Sequence, residues 1–152
     1  MLEFLKKVNL FKMLTVNELE KIEKISRIEA FAKDTVIFKE GDPGDRCFVI
    51  TNGDVRISKF IPNIGEEALA VLKPGDYFGE MALIDNFPRS AHAIANTDLV
   101  LLAISKTDLD NILSSDRELG YKLLWAFTKT LSKRLRETNE KMASFLAMSG
   151  GF

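Results

Sequence analysis

Glu80 and Arg89 stand nine residues apart in a stretch suited to holding a small anion: Pro-Gly-Asp-Tyr-Phe-Gly-Glu-Met-Ala-Leu-Ile-Asp-Asn-Phe-Pro-Arg-Ser-Ala-His-Ala-Ile-Ala, from Pro74 to Ala95. Gly79 lacks a Cβ, and Glu80 to Ile84 can form a brief helical turn whose unpaired backbone N–H groups point at whatever lies over the glycine. That is a cradle for an anion. Arg89, fixed by Pro88 before it and followed by the Ser90 hydroxyl, can bring a two-pronged guanidinium to the same anion. Glu80 is an acceptor and can hold a sugar hydroxyl beside it. The ligand so implied carries one phosphate and a free hydroxyl close together. A bare ion pair tying a loop to a strand is the simpler alternative, but it leaves the glycine, the short helix and the serine without a role.

Other chemistries are excluded by counting. One cysteine, Cys47, cannot form an internal disulfide, and with one histidine, His92, the chain cannot build a Cys/His zinc site. Cys47 is expected to pack in the core and His92 to sit at a surface or strand edge. With 21 Lys+Arg against 22 Asp+Glu the formal charge is −1, so no global field draws the chain to nucleic acid or to an anionic membrane. The start Met-Leu-Glu-Phe-Leu-Lys-Lys is no signal core, and the longest apolar run, Leu99 to Ile104, spans no bilayer. A reducing cytoplasm fits this usage.

The elements that must position the two residues can be read from punctuation. All four prolines (Pro43, Pro62, Pro74, Pro88) and six of nine glycines fall between positions 41 and 88, which marks dense turns. Between them lie strand-like runs: Thr35 to Phe38, Arg46 to Thr51, Val55 to Phe60, Ala68 to Leu72, Ser90 to Ala95 and Leu99 to Ile104. Asn52-Gly53 predicts a type I′ turn that pairs its two flanking strands as a hairpin.

Helices bracket the strands. Thr15 and Glu18 form a capping box before Leu19, Ile22 and Ile25, and Ser105 can cap a helix bearing Leu109, Ile112 and Leu113. A long helix starts at Ser115, with Glu118 in the box position, and runs to about Ala147 before Gly150-Gly151. Leu124, Leu131, Thr138 and Phe145 fall on one seven-residue line and Tyr121, Thr128, Leu135 and Met142 on the next, a seam suited to pairing with a second copy. Packing on the chain's own barrel is the other reading of the stripe. Lys129, Lys133, Arg134, Arg136 and Lys141, with Glu137 and Glu140, read as the solvated face of that helix. Trp125 reads as core, and Phe145 is a candidate lid over a base.

Phe78-Gly79-Glu80-Met81-Ala82-Leu83-Ile84 followed by Pro88-Arg89-Ser90-Ala91 resembles the phosphate-binding cassette of cyclic nucleotide-binding domains. Gly41-Asp42-Pro43-Gly44-Asp45, Phe48-Val49-Ile50 and Gly53-Asp54-Val55 are similar to that family's early strands and turns, so the likeness covers roughly residues 20 to 115. It implies a mainly β fold, an antiparallel, jelly-roll-like β-roll with N-terminal helices and a long C-terminal helix. The expected single domain, 1–152, divides into a helical segment (1–30), the β-roll (31–104) with its cassette (78–91), and C-terminal helices (105–147).

The resemblance also implies roles. Glu80 would bind the ribose 2′-hydroxyl and Arg89 the cyclic phosphate, with Phe78, Gly79, Met81, Ala82, Ser90 and Ala91 completing that shell. Leu131 to Met142 is similar to the dimer helix of the catabolite activator (Crp/Fnr) branch, which places Thr138 at an adenine contact. Asn139 stands where that branch has a serine reaching the partner subunit's ligand. That branch continues into a helix-turn-helix domain, for which a chain ending at Phe152 has no room, so no direct DNA binding is expected. The expected function is a cytoplasmic, homodimeric cyclic nucleotide sensor, preferring cyclic AMP over cyclic GMP, in which ligand binding changes the position of the C-terminal helix, without other cofactor or catalysis. A ligand-independent dimerisation module and the sensor piece of a larger regulator remain open, as does the downstream partner. A metal-dependent barrel enzyme is opposed by the lone histidine.

Overall fold

Thr15 begins the first substantial helix as its spacing predicts: its hydroxyl accepts from the Glu18 N–H while the Glu18 carboxylate accepts from the Thr15 N–H, in the computed structural model, which describes residues 1–150. Chain order is α1 (Leu2–Leu5), a 3-10 turn (Asn9–Phe11), α2 (Val16–Ile25), β1 (Ser26–Phe31), β2 (Val36–Phe38), β3 (Arg46–Asn52), β4 (Val55–Ile61), β5 (Gly65–Leu72), β6 (Tyr77–Phe78), α3 (Met81–Asp85), β7 (His92–Ala95), β8 (Leu99–Ser105), α4 (Lys106–Ser115) and α5 (Arg117–Ser149).

The eight strands form two four-stranded antiparallel sheets, ordered β1-β8-β3-β6 and β2-β7-β4-β5. Phe48, Ile50, Val55, Phe78, Ala93, Leu99 and Leu101 fill the space between them. The first sheet is buried on its other side too: Cys47, Val49, Leu102 and Ile104 pack with Leu5, Phe11, Leu19, Ile22, Leu109, Leu123 and Phe127 of the helices. Burial on both faces explains why Leu99 to Ile104 is apolar without alternation. No helix among the described residues is long and apolar enough to cross a membrane.

Two expectations are corrected. Asn52-Gly53 does turn the chain, with Gly53 at φ +85°, but β3 and β4 do not pair; they belong to different sheets. Past the turn Asp54 is captured by the neighbouring loop, its N–H donating to Thr97 Oγ1 and its carbonyl accepting from Asn96 N–H, so β4 lies beside β7. The hairpin is β4–β5, turning through residues 62–64 with Asn63 at φ +67°. The cap of α5 is Asp116, whose carboxylate accepts from Leu119 N–H; Ser115 instead donates its hydroxyl back to Asn111 O. An ionised carboxylate at a helix N-terminus is the stronger partner. At the far end Gly150 is the C-cap, while Gly151 lies outside the described residues.

Ser26–Phe31, which the strand-like runs did not include, forms β1 along the edge of β8. The predicted caps at Thr15 and Ser105 are in place. In α5 only Leu119, Gly120, Leu123 and Phe127 are buried, all in its first third. That part is tied to α2 by Lys122 on Glu18 at 2.6 Å and by Lys21 on Asp116 at 2.7 Å. Beyond Phe127 the helix is anchored by other means, which lie at the site.

Candidate functional site

A cavity of about 430 Å³ opens between the second sheet, α3 and the outer part of α5. Phe78, Gly79, Glu80, Met81, Ala82, Arg89, Ser90, Ala91 and Thr138 all line it, so the structure brings together nine of the ten residues singled out from sequence. Asn139 does not line it in its own chain and is exposed. Trp125 and Phe145 do not line it either; Trp125 is half exposed with Lys129 over its ring, which removes it from the core.

Arg89 is held from both ends. Its N–H donates to Asp42 O and its carbonyl accepts from Gly41 N–H, each at 2.8 Å, which pins the backbone to the turn after β2. Its guanidinium lies over the Phe38 ring, 4.2 Å from the centroid, with Nη1 donating to Gly79 O at 2.8 Å and Nη2 to Arg46 O at 2.6 Å. Gly79, at φ +84°, is required here, because a Cβ would stand 2.8 Å from Arg89 Nη1. A Cβ on Gly44 would stand 2.1 Å from Ala82 Cβ, so the same turn also closes on α3.

The charge of Arg89 is left largely unneutralised. The residue is only 4% exposed, its Nε has no partner, and the nearest carboxylate is the exposed Asp45 at 3.7 Å. Burial pushes its pKa below the usual guanidinium value, ahead of the opposing pull of Asp45. A buried, incompletely neutralised cation that lines a cavity favours an anion there.

Glu80 is 1% exposed at the start of α3 and carries the opposite problem. Arg134 of α5 reaches it: Nη1 donates to Glu80 Oε1, and Nη2 donates to Tyr77 O at 2.6 Å, with the guanidinium over the Tyr77 ring. Arg134 is therefore not part of a solvated face, as its helix pattern suggested. The periodicity of α5 shows which residues share a side, and tertiary packing turns this side toward a buried acid. Burial raises the Glu80 pKa above its ordinary 4.5, and the attraction of Arg134 offsets that only in part. Lys141 donates to Leu69 O at 2.9 Å and adds a second tether of α5 to the barrel. With Lys59 and Glu137, Arg134 and Lys141 are the charged cavity residues that the sequence reading left out. Their spacing of seven residues, matching that of the stripe beside them, is the only sequence signal that sets Arg134 and Lys141 on one side.

The arrangement can hold a compact ligand with an anionic group at Arg89 and hydroxyls at Glu80, leaving an apolar wall of Ile57, Leu69, Ala70 and Leu72 for a flat ring. Comparison with known proteins agrees with that chemistry. The model of the cyclic nucleotide-binding domain matches residues 28–116. A CRP-like cAMP-activated global transcriptional regulator of Mycobacterium tuberculosis is 28% identical over 144 residues, 95% of this chain. The chain spans 62% of that regulator's length. Among solved structures, a cyclic nucleotide-binding domain from Methylobacillus flagellatus superposes with a TM-score of 0.83 at 31% identity, covering 94% of this chain and 80% of that one. The catabolite activator protein of Thermus thermophilus gives 0.77 at 31% identity, covering 90% and 62% respectively.

A buried carboxyl with a raised pKa binds its proton more tightly in the folded than in the unfolded state. Its contribution to stability therefore falls as pH rises from its ordinary value through the folded one. Glu80→Gln, which keeps an acceptor for Arg134 but cannot ionise, should lose this slope. In thermal melts between about pH 4 and 7, the Tm of the variant minus that of the parent should increase with pH; a constant difference would show that Glu80 is not buried at such a cost.

Proposed function

The chain belongs to the cyclic nucleotide-binding domain family, and on that premise we propose that it is a cyclic nucleotide sensor, preferring cyclic AMP, in which occupancy of the cavity resets the position of α5. The observation that carries the reading is the buried, under-neutralised guanidinium of Arg89 beside the buried carboxylate of Glu80. A cyclic phosphate supplies the missing charge at the first, and the adjacent ribose hydroxyl is a donor for the second. Phe78, Gly79, Met81, Ala82, Ser90 and Ala91 form the rest of that shell.

Thr138 supports the choice of base. Its hydroxyl donates to Arg134 O at 2.8 Å, so the proton is engaged and only lone pairs remain for the cavity. Such a group accepts from the amine of adenine and is mismatched to the carbonyl of guanine. Arg134 supports the coupling: it lines the same cavity and is bonded to Glu80, so a ligand that contacts Glu80 binds one helix position better than another, and only that difference shifts the population.

The protein works as a homodimer through helix 116–147, with Asn139 turned toward the partner's cavity. Tyr121, Leu124, Leu135, Met142 and Phe145 are all exposed in the single chain, while Thr128 hides its hydroxyl against Leu124 O. It is a binding module and not a catalyst, residues 1–152 act as one domain, and the buried unpaired thiol of Cys47 suits the cytoplasm. The Arg134–Glu80 pair, which satisfies Glu80 from within the chain, favours a second reading: a dimerisation module that needs no ligand.

Calorimetry with cyclic AMP tests the two readings, since no heat of binding at high ligand concentration leaves only the second. Arg89→Lys keeps the charge but loses the fork. At about 1.5 to 3 kcal/mol for each charge-assisted bond, it should weaken binding roughly tenfold or more with an unchanged far-ultraviolet circular dichroism spectrum; parent affinity would refute the phosphate assignment.

Cyclic AMP should bind more tightly than cyclic GMP. Thr138→Val should cost cyclic AMP about 1 kcal/mol and narrow the gap, and an undiminished gap in that variant would remove Thr138 as the discriminator.

Leu135→Glu, outside the cavity, places a carboxylate in the seam and should convert dimers to monomers by light scattering. A parent already monomeric at tens of micromolar would refute the dimer.

A further inference from the structure

His92 is two residues beyond Ser90 on β7 and is half buried. Its Nδ1 accepts a hydrogen bond from Glu40 N–H at 3.1 Å, a role open only to a nitrogen that carries no hydrogen. Glu40 directly precedes Gly41, whose N–H donates to Arg89 O, and Arg89 N–H returns to Asp42 O. The turn is closed internally by Lys39 N–H on Asp42 Oδ2 at 2.9 Å. One imidazole nitrogen therefore holds the entry to the turn that pins the backbone of Arg89.

We propose that His92 is a positioning residue for Arg89, and that its protonation loosens the phosphate site through residues 40–42. The proposal rests on the cyclic nucleotide reading above. Protonation puts a hydrogen on Nδ1, so two N–H groups face each other across the distance that now holds a bond. The turn must then move away from β7, and Arg89 loses its fixed register with Gly79 and Arg46.

The charges around the imidazole do not override this geometry. From the turn after β2 comes Glu40, whose carboxylate is paired with Lys59 of β4 at 3.3 Å. From β5 comes Glu66, paired with Arg56 of β4 at 2.8 Å. Asp42 and Lys39 lie further along the turn, and Ser58 of β4 is the uncharged cross-strand neighbour. Each carboxylate beside the ring already has its own base, so the acceptor role of Nδ1 decides the outcome. His92 is the only histidine in the chain, so its imidazole signal is unambiguous.

The test compares the parent, His92→Asn and His92→Ala across about pH 8 to 6. Asparagine places an acceptor oxygen near the position of Nδ1 and does not titrate. Cyclic AMP affinity of the parent should fall roughly threefold or more as the imidazole charges, His92→Asn should stay level near the parent's alkaline value, and His92→Ala should be weak throughout. In the free parent, the Gly41 and Arg89 amide signals should follow the imidazole titration and should not do so in His92→Asn.

Three proteins sharing one pH profile, or amide signals indifferent to the imidazole, would overturn the relay. Absence of cyclic AMP binding at every pH would instead sink the ligand assignment, and the amide titration would still judge the link from His92 to Arg89.

Discussion

Burying a guanidinium costs free energy that its partners must recover, and at Arg89 they recover it incompletely: two backbone carbonyls, an aromatic face and a carboxylate at 3.7 Å. Much of the surrounding structure follows from that constraint. Gly79 adopts a left-handed conformation to bring its carbonyl under the guanidinium, and β3 turns the carbonyl of Arg46 to the same group. The turn after β2 grips the arginine's backbone and closes on Ala82 through Gly44. The β-roll is the frame that brings β3, β6 and β7 close enough to do this.

Glu80 is the mirror image of the same problem, solved differently. Its acid is also buried, but its partner comes from α5, fifty-four residues later in the chain. One buried charge thus takes its partners from inside the barrel and the other from a helix outside it. A molecule that supplies both an anion and a hydroxyl competes with, or adds to, both sets of contacts at once.

The cassette was legible in sequence because its geometry is local. A glycine, an acid at a helix start and an arginine after proline each constrain a few neighbouring residues, and nine of the ten candidates line one cavity. Strands bracketed by helices were legible for the same reason, because turn residues and capping boxes mark where elements begin and end, while the antiparallel β-roll itself was what the family resemblance implied. What failed depended on which strand or helix a residue meets. Asn52-Gly53 reverses the chain but cannot choose a sheet, and Arg134 looks like any basic residue on a helical stripe until the barrel is set beneath it. β1 carries Ile28 on an exposed edge and β6 is two residues long, so neither leaves a periodic pattern to read.

The helix α5 is fixed over its first third and touches the barrel only through side chains thereafter. From Thr128 to Ser149 it is a rod of about 32 Å at ~1.5 Å per residue. Pivoting by about 10° would sweep its tip through roughly 5 Å, about one helical turn. The barrel need therefore change by no more than the slack in two side-chain tethers for the far end to relocate by a full register. A rod of that length held at one end would gear a small motion at the cavity up to a large one at its far end.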